Sequence, residues 1–200
     1  MPDDGLPPFV ATHPAIDSLG SGCRLSPSVS IWRRGGPGAA PAIVRLGEGV
    51  VILDQVRIVA TSPDEFSEAR VELGNRVIIN VGCYLSGEGG LTIEDDVLLG
   101  PHVKVLSAGH DIGAGHEAIV HNALTHSPVR IERGAWLGAG SIVLQGRRVG
   151  AGAVVGAGSV VTRDIPTMAV AVGNPARVLR LRSEMPRRSL LARLAGLLAS

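Results

Sequence analysis

Residues 131–161 read IERGAW LGAGSI VLQGRR VGAGAV VGAGSV V, with an aliphatic residue at every sixth position. The aliphatic positions are Ile131, Leu137, Val143, Val149, Val155 and Val161, and the small residues four places after most of them are Ala135, Ser141, Ala153 and Ser159. A period of six matches neither the turn of an α-helix, about 3.6 residues, nor a coiled-coil heptad. It is typical of short strands separated by tight corners, and it predicts a repeat architecture.

The same register is present upstream of this stretch. The upstream sets are Leu73, Ile79 and Leu85; Ile93, Leu99 and Val105; and a weaker one at Leu46, Ile52 and Ile58. We expect each aliphatic and each small residue to face inward, with three strands forming one triangular coil of eighteen residues, as from Ile131 to Val149. Successive coils would stack about 4.8 Å apart through parallel strand hydrogen bonds. Loops are predicted where the register breaks, between 85 and 93 and at 111–128.

The composition agrees with a thin solenoid. Aromatic residues make up 2% of the chain, whereas Gly accounts for 27 residues and apolar residues for 45%. This suits a narrow interior better than a globular core, in which aromatic side chains supply much of the buried area. A net charge of +1 gives no electrostatic case for nucleic acid, and two cysteines suggest no disulfide framework.

Targeting signals are not evident in the sequence. Residues 1–5 lack the basic and apolar regions of a signal peptide. No apolar run reaches the roughly 20 residues of a membrane span. We therefore expect a cytoplasmic protein.

The repeat also predicts which side chains point outward. Because side chains alternate along a strand, Trp136 should face outward if Ala135 and Leu137 face inward. The outward apolar row predicted in this way is Trp136, Ile142, Val154 and Val160. A row of exposed apolar side chains requires a cover, so the sequence predicts a subunit interface here.

Two segments carry the most specific motifs: residues 156–166 read GAGSVVTRDIP and residues 173–178 read GNPARV. They belong to the stretches 80–110 and 128–180, which resemble the hexapeptide-repeat acyltransferases, in particular the sugar O-acetyltransferases of the galactoside and maltose acetyltransferase type. The resemblance covers about half of the chain. It implies an all-β fold, a left-handed parallel β-helix with a protruding loop. The handedness comes from the resemblance alone, since general crossover rules favour right-handed connections.

The resemblance further implies a homotrimer with active sites between neighbouring subunits, acetyl-CoA as the cosubstrate and no metal. It gives His110 the position of the catalytic histidine. A neutral imidazole suits the work of a general base, which takes a proton from a hydroxyl as the oxygen attacks a thioester. Because coenzyme A is a good leaving group, direct transfer needs no covalent intermediate. Either Asp111 or Glu88 could orient the imidazole.

Asn80 and Glu88 correspond to acceptor-binding positions in the relatives, and their amide and carboxylate groups suit a ring of hydroxyls. We therefore expect a saccharide or glycan-precursor hydroxyl as the acceptor. Lys104 is the only Lys or Arg from residue 80 to residue 110, so a strongly anionic acceptor is not expected.

Coenzyme A candidates lie in the C-terminal half. Small residues at Ala139 and Ala157 would let backbone groups approach pantetheine. Trp136 either covers the thioester or packs at the interface. The remaining candidates implied by the resemblance are Thr162, Arg163, Arg177 and Arg180, and arginine suits nucleotide phosphates through charge-assisted bonds.

The chain is divided into three parts. Residues 1–40, rich in Pro and Gly, are predicted to be a loosely structured extension, and residues 41–180 the β-helix domain with its loop at 111–128. Residues 181–200 carry leucines at helical spacing and predict a short C-terminal helix that caps the solenoid. A peripheral contact with a membrane surface is its alternative use.

Other functions remain open on the sequence. An amino-sugar N-acetyltransferase and a serine or antibiotic acetyltransferase are alternatives within the enzymes. A γ-class carbonic anhydrase would need three histidines that converge on zinc; His116 and His121 have a suggestive spacing but lie outside the repeat. A non-catalytic scaffold is the remaining alternative.

Overall fold

The computed structural model describes residues 9–34, 43–113 and 115–184. Short strands wind into a triangular solenoid, in which each coil contributes one strand to each of three sheets. The strands of one coil pair in parallel with those of the next, as the predicted stacking requires.

The first three coils hold strands β1 to β9. Coil 1 contains β1 (Ser18–Leu19), β2 (Arg24–Leu25) and β3 (Ser30–Arg34); coil 2 contains β4 (Ile43–Leu46), β5 (Val51–Ile52) and β6 (Arg57–Thr61); coil 3 contains β7 (Arg70–Leu73), β8 (Ile78–Ile79) and β9 (Tyr84–Ser86).

Coil 4 is followed by a protruding hairpin. Coil 4 contains β10 (Leu91–Ile93), β11 (Leu98–Leu99) and β12 (Lys104–Val105), and the hairpin contains β13 (Ala108–His110), a 3-10 turn (Ile119–His121) and β14 (Leu124–His126).

The upper coils complete the stack. Coil 5 contains β15 (Val129–Ile131), β16 (Trp136–Leu137) and β17 (Ile142–Val143); coil 6 contains β18 (Arg148–Val149), β19 (Val154–Val155) and β20 (Val160–Val161). Above them β21 (Ala169–Val172) and the antiparallel β22 (Arg177–Leu181) end the second sheet, before a 3-10 turn (Arg182–Glu184).

The first, second and third strands of the coils form sheets B, A and C respectively. Each coil therefore turns at a B–A corner, an A–C corner and a C–B corner. The predicted inward aliphatic residues are all buried, with at most 4% of their surface exposed. Burial of such a side chain stabilises the fold by about 1.5–3 kcal/mol. All five aromatic residues of the chain are described, and none of them is in this core.

The three corners differ in whether the number of residues between successive strands varies from coil to coil. The inward residues of successive strands are six apart around every B–A and A–C corner of coils 1 to 6, as for Leu73, Ile79 and Leu85. The A–C corner is also sterically tight, because a Cβ on Gly138 would lie 2.6 Å from the Ala157 nitrogen of the coil above. All departures from the six-residue spacing occur at the C–B corner, the longest between Val105 and Ile131.

The solenoid begins earlier than predicted from the sequence. Residues 18–34, assigned to a loose extension, form coil 1, whose strands pair with those of coil 2. Leu19, Leu25 and Ile31 continue the six-residue spacing, and Leu25 is fully buried. The Pro- and Gly-rich composition concealed this set, although its register was already visible in the chain.

The C-terminal helix was predicted within 181–200, and most of that segment lies outside the described residues. Its first residues, 181–184, form the end of β22 and a 3-10 turn. No helix in the described part of the chain has the length and apolar character to cross a membrane.

The outward apolar residues occupy two faces instead of one row. Trp136 and Val154 lie on sheet A, whereas Ile142 and Val160 lie on sheet C, on the other side of the A–C corner. On sheet A the column extends downward through Leu98, Ile78 and Val51. Sheet B instead carries ion pairs, among them Arg130–Glu94 and Arg148–Glu132. Sheet A is therefore the apolar face of the described solenoid.

Candidate active site

His110 is presented on the hairpin that leaves the C–B corner of coil 4. β13 and β14 pair antiparallel, with His110 opposite Leu124, and the imidazole is exposed. Its Nδ1 lies 3.4 Å from the carbonyl oxygen of Asn122. Because a carbonyl oxygen can only accept, Nδ1 is the donor in this contact, and in the neutral imidazole Nε2 then has the free lone pair. An exposed Nε2 lone pair is the group that a general base requires.

Asn122 holds the hairpin loop around His110, and sequence reasoning missed it. Its side-chain oxygen accepts the N–H of His116 at 2.6 Å, and its side-chain amide donates to the Asp111 carbonyl at 3.0 Å. Within the described residues no hydrogen bond joins His110 to Asp111 or Glu88, the two predicted orienting groups. The backbone of Asn122 takes that place, a contact that the identity of a side chain cannot reveal.

Glu88 lies at the C–B corner of coil 3, below the hairpin. Ser86 Oγ donates to Glu88 Oε2 at 3.1 Å, and Ser86 is in turn linked to the buried Ser107 of coil 4. The other carboxylate oxygen lies 3.9 Å from the guanidinium of Arg34, from coil 1. Residues of coils 1, 3 and 4 therefore fix this carboxylate beside the hairpin that carries His110.

Asn80 is at the A–C corner of coil 3, across sheet C from Glu88. It is half-buried, and its side-chain oxygen accepts the Val81 N–H at 2.9 Å, which leaves its amide hydrogens available. A single chain therefore places the two predicted acceptor residues at different corners.

The coenzyme A candidates lie at the same two corners and on sheet A. Ala139 and Ala157 are exposed at the A–C corner, and the Ala157 N–H donates to no backbone group among the described residues. The residues on or beside sheet A are Trp136, Arg177 and Arg180, all exposed. Thr162 and Arg163 follow β20 and lie at the C–B corner of coil 6.

The candidates are ordered along the solenoid axis. Asn80 and Glu88 belong to coil 3 and His110 to coil 4, while every coenzyme A candidate belongs to coil 5 or above. The histidine thus lies between the predicted acceptor residues and the predicted donor residues.

The remaining histidines and the buried thiol offer less chemistry. His116 and His121 meet edge to face, with ring centroids 4.8 Å apart. His126 stacks on Phe66. No group of three His, Cys, Asp or Glu side chains that could hold a metal ion is present within 9–34, 43–113 and 115–184. Burial raises the pKa of the Cys83 thiol to about 11, so this thiol is not a nucleophile at neutral pH.

Comparisons with known proteins agree with the repeat and the motifs. The family profile described as the hexapeptide repeat of succinyl-transferase matches residues 128–163. The galactoside O-acetyltransferase of Lactococcus lactis is 36% identical over 115 residues, which are 58% of this chain and 55% of that protein. The chain spans about half the length of the curated relatives it matches.

Two solved structures share the fold. The N-acyltransferase AntD of Bacillus cereus, in complex with dTDP and coenzyme A, has a TM-score of 0.71 and 20% identity, and the match covers 97% of this chain and 99% of that one. The GDP-perosamine N-acetyl transferase of Caulobacter crescentus, in complex with CoA and GDP-perosamine, has a TM-score of 0.56 and 26% identity over 81% of this chain and 58% of that one. By fold, the chain is a left-handed β-helix of hexapeptide repeats, and its sequence resembles the galactoside O-acetyltransferases over more than half of its length.

Proposed function

We propose that the chain transfers an acetyl group from acetyl-coenzyme A to a saccharide hydroxyl, with His110 as general base. The observation that carries this proposal is the position of His110 on the axis, between acceptor candidates in coil 3 and donor candidates in coils 5 and above. Relatives that match the chain include galactoside O-acetyltransferases, and the two solved structures with the same fold hold coenzyme A.

The residues support direct transfer. Nε2 of His110 accepts the hydroxyl proton while the oxygen attacks the thioester carbonyl carbon, and the Nδ1 contact with Asn122 keeps the ring in the required tautomer. The carbon–sulfur bond then breaks, the acetyl ester remains on the sugar, and the coenzyme A thiolate leaves with the electron pair. Arg177 and Arg180 would hold the nucleotide phosphates.

A complete site needs two subunits in this proposal. The C–B corner carries Glu88, His110, Thr162 and Arg163, while the A–C corner and sheet A carry Asn80, Trp136, Ala139, Ala157, Arg177 and Arg180. A trimer in which the C–B corner of one subunit faces the A–C corner of its neighbour would join both sets. It would also cover the apolar column of sheet A.

Amino-sugar N-acetylation is the second candidate, favoured by the likeness to the GDP-perosamine N-acetyl transferase. A thiol-release assay on matched sugars that differ by an amine and a hydroxyl at one carbon distinguishes the two. We expect the hydroxyl sugar to release coenzyme A and NMR of the product to show an O-acetyl ester. If only the amine sugar is acetylated, the O-acetyltransferase proposal fails and the N-acetyltransferase is supported.

The role of His110 is tested in the same assay. His110→Ala should reduce kcat at least about a hundredfold, since general-base catalysis contributes about 10²–10⁴-fold, while coenzyme A binding by calorimetry is retained. His121→Ala, a change of the same size elsewhere in the hairpin loop, is the matched control and should retain most of its activity. Turnover by His110→Ala above a tenth of the wild-type rate would exclude His110 as the base.

A further inference from the structure

The lower half of sheet C presents a column of polar and aromatic side chains to the outside. Strand register places Ser30, Arg57, Tyr84 and Lys104 one above the other in coils 1 to 4. The same column continues with Ile142 and Val160 in coils 5 and 6. Its polar part is therefore confined to the coils at and below His110.

An aromatic ring lies beside the base of this column, two residues along β3 from Ser30 and in register with Val59. Trp32 of β3 is 49% exposed, and the guanidinium of Arg57 lies 5.9 Å from its ring centroid, within the range of a cation–π contact. Arg57 also donates to Ser30 Oγ at 3.0 Å, which fixes the cation beside the ring. We call Trp32, Arg57, Tyr84 and Lys104 the sheet C platform.

The platform has an excess of positive charge. Arg57 and Lys104 are exposed, and neither has an ion-pair partner in the described part of the chain. The nearby carboxylate of Glu88 lies within ion-pair distance of Arg34. Burial, followed by the charge of Glu88, raises the pKa of the Tyr84 hydroxyl, so this group stays a neutral donor between the two cations.

Strand register adds a second basic residue, Arg57, to the side of Lys104. Arg57 is distant from Lys104 in sequence, but two steps of the parallel ladder bring their Cα atoms to about 10 Å. Aromatic rings with cations beside them bind single-stranded nucleic acids, whose bases stack on the rings while the cations hold the phosphates. They suit a flat ring that stacks and a phosphate that accepts charge-assisted bonds.

We propose that the sheet C platform binds the phosphate-bearing part of the acceptor, with a ring stacked on Trp32 and phosphate oxygens on Arg57 and Lys104. This inference rests on the proposed function, and it narrows the acceptor to a sugar that carries a phosphate or a nucleoside diphosphate. The reacting hydroxyl would then extend upward along the axis, toward Glu88 and His110.

The chain has two tryptophans, Trp32 and Trp136, which permits a direct binding test. In a Trp136→Phe background, emission reports on Trp32, and uridine diphosphate added without coenzyme A should quench it saturably. A further Arg57→Gln change should weaken binding about tenfold, the effect of one lost charge-assisted contact. Arg24→Gln is the matched control, because Arg24 also covers an aromatic ring, that of Phe9, but on sheet A; it should leave the affinity unchanged.

Pyrophosphate, which lacks the nucleoside, distinguishes a sugar phosphate from a nucleotide-linked sugar as the acceptor. Quenching by pyrophosphate with an affinity close to that of uridine diphosphate indicates a sugar phosphate, and a requirement for the nucleoside indicates a nucleotide-linked sugar; either result supports the platform. No saturable quenching, equal affinity in Arg57→Gln, or displacement of uridine diphosphate by coenzyme A would overturn it. If coenzyme A is then still released with a neutral sugar as acceptor, only the platform proposal fails. If the nucleotide binds but no acceptor leads to release of coenzyme A, the proposed function fails instead.

Discussion

Asn122 has two tasks at the scale of single residues. Its carbonyl contacts His110 Nδ1, and its side chain ties together the backbone at Asp111 and His116. The Asn122 amide thus helps to fix the loop that presents the imidazole, and within the described residues no carboxylate is hydrogen-bonded to the ring. In the proposed function Asn122 is a positioning residue, since it would act through His110.

Asn122→Ala should reduce kcat about tenfold while KM for acetyl-coenzyme A stays the same, because misplacement of the base affects the chemical step alone. Steady-state kinetics provide the measurement, with KM for acetyl-coenzyme A as the internal reference. Asn75→Ala is the matched control, since the side chain of Asn75 makes similar bonds at the remote B–A corner. An unchanged kcat would show that Asn122 is not needed to place the ring.

Some of the candidate site residues could be read from the sequence and others could not. His110 and the arginines stand within recognisable motifs, so their positions along the solenoid were predictable. The contact of His110 with a backbone carbonyl depends on how the loop folds back, which the periodicity does not encode. The sequence did not reveal Arg57 as a second cation near Lys104, because the two residues become neighbours only through strand register.

At the scale of elements, coil 1 is held to coil 2 by a polar clamp. Asp17 accepts hydrogen bonds from the guanidinium of Arg33 and from the Val44 N–H at 2.7 Å. The Arg33 bond holds the pKa of the Asp17 carboxyl below its usual value of 3.8. A carboxyl with a lowered pKa stabilises the fold above its usual pKa, and this contribution is lost as the pH falls through the lowered value.

Acidification below about pH 4 should therefore loosen coil 1 first. Hydrogen-exchange protection factors for β3 and β4 are the measurement, with those of β16 and β19 as the internal reference. Asp17→Asn should already show the lower protection at pH 7 and should change little on acidification. Equal losses in all four strands would point to global acid unfolding instead of a local clamp.

β22 concentrates donor-binding candidates on one element. Arg177 and Arg180 lie opposite Val172 and Val170 at the end of sheet A, and both are exposed. Replacing both with Gln should raise KM for acetyl-coenzyme A far more than KM for the acceptor, because charge-assisted bonds contribute about 1.5–3 kcal/mol each. The matched control replaces Arg45 and Arg130, two exposed arginines of sheet B. An unchanged donor KM would place the nucleotide elsewhere.

Periodicity predicted the elements well where the inward residues are six apart. It recovered the strands from coil 2 upward because an aliphatic ladder tolerates no shift of register. It missed coil 1, because Pro and Gly between the repeats suggested a loosely structured extension. It also assigned the outward side chains of sheets A and C to a single row. The alternation along a strand predicts which side chains point outward, but the face on which they lie depends on the sheet that contains the strand.

At the scale of the whole molecule, the faces predict an assembly. Sheet A is apolar from Val51 to Val154, and Ile78, Leu98 and Trp136 between them are 37–49% exposed. Leu98→Lys should shift a trimer toward monomers, because a charge in the middle of a buried face is costly. Thr92→Lys on the charged sheet B is the matched control. Light scattering gives the masses, and a wild-type monomer at micromolar concentration would contradict the assembly.

Because only the C–B corner varies in length, the position of a corner determines which insertions the protein can accept during evolution. An insertion at the B–A or A–C corner would shift every later ladder residue out of register, so selection should remove it. An insertion at the C–B corner leaves the ladder intact, and there it falls beside His110 and Glu88. The same scaffold can therefore acquire new acceptor specificity through changes of loop length at one edge, and libraries of variants are best built at that edge.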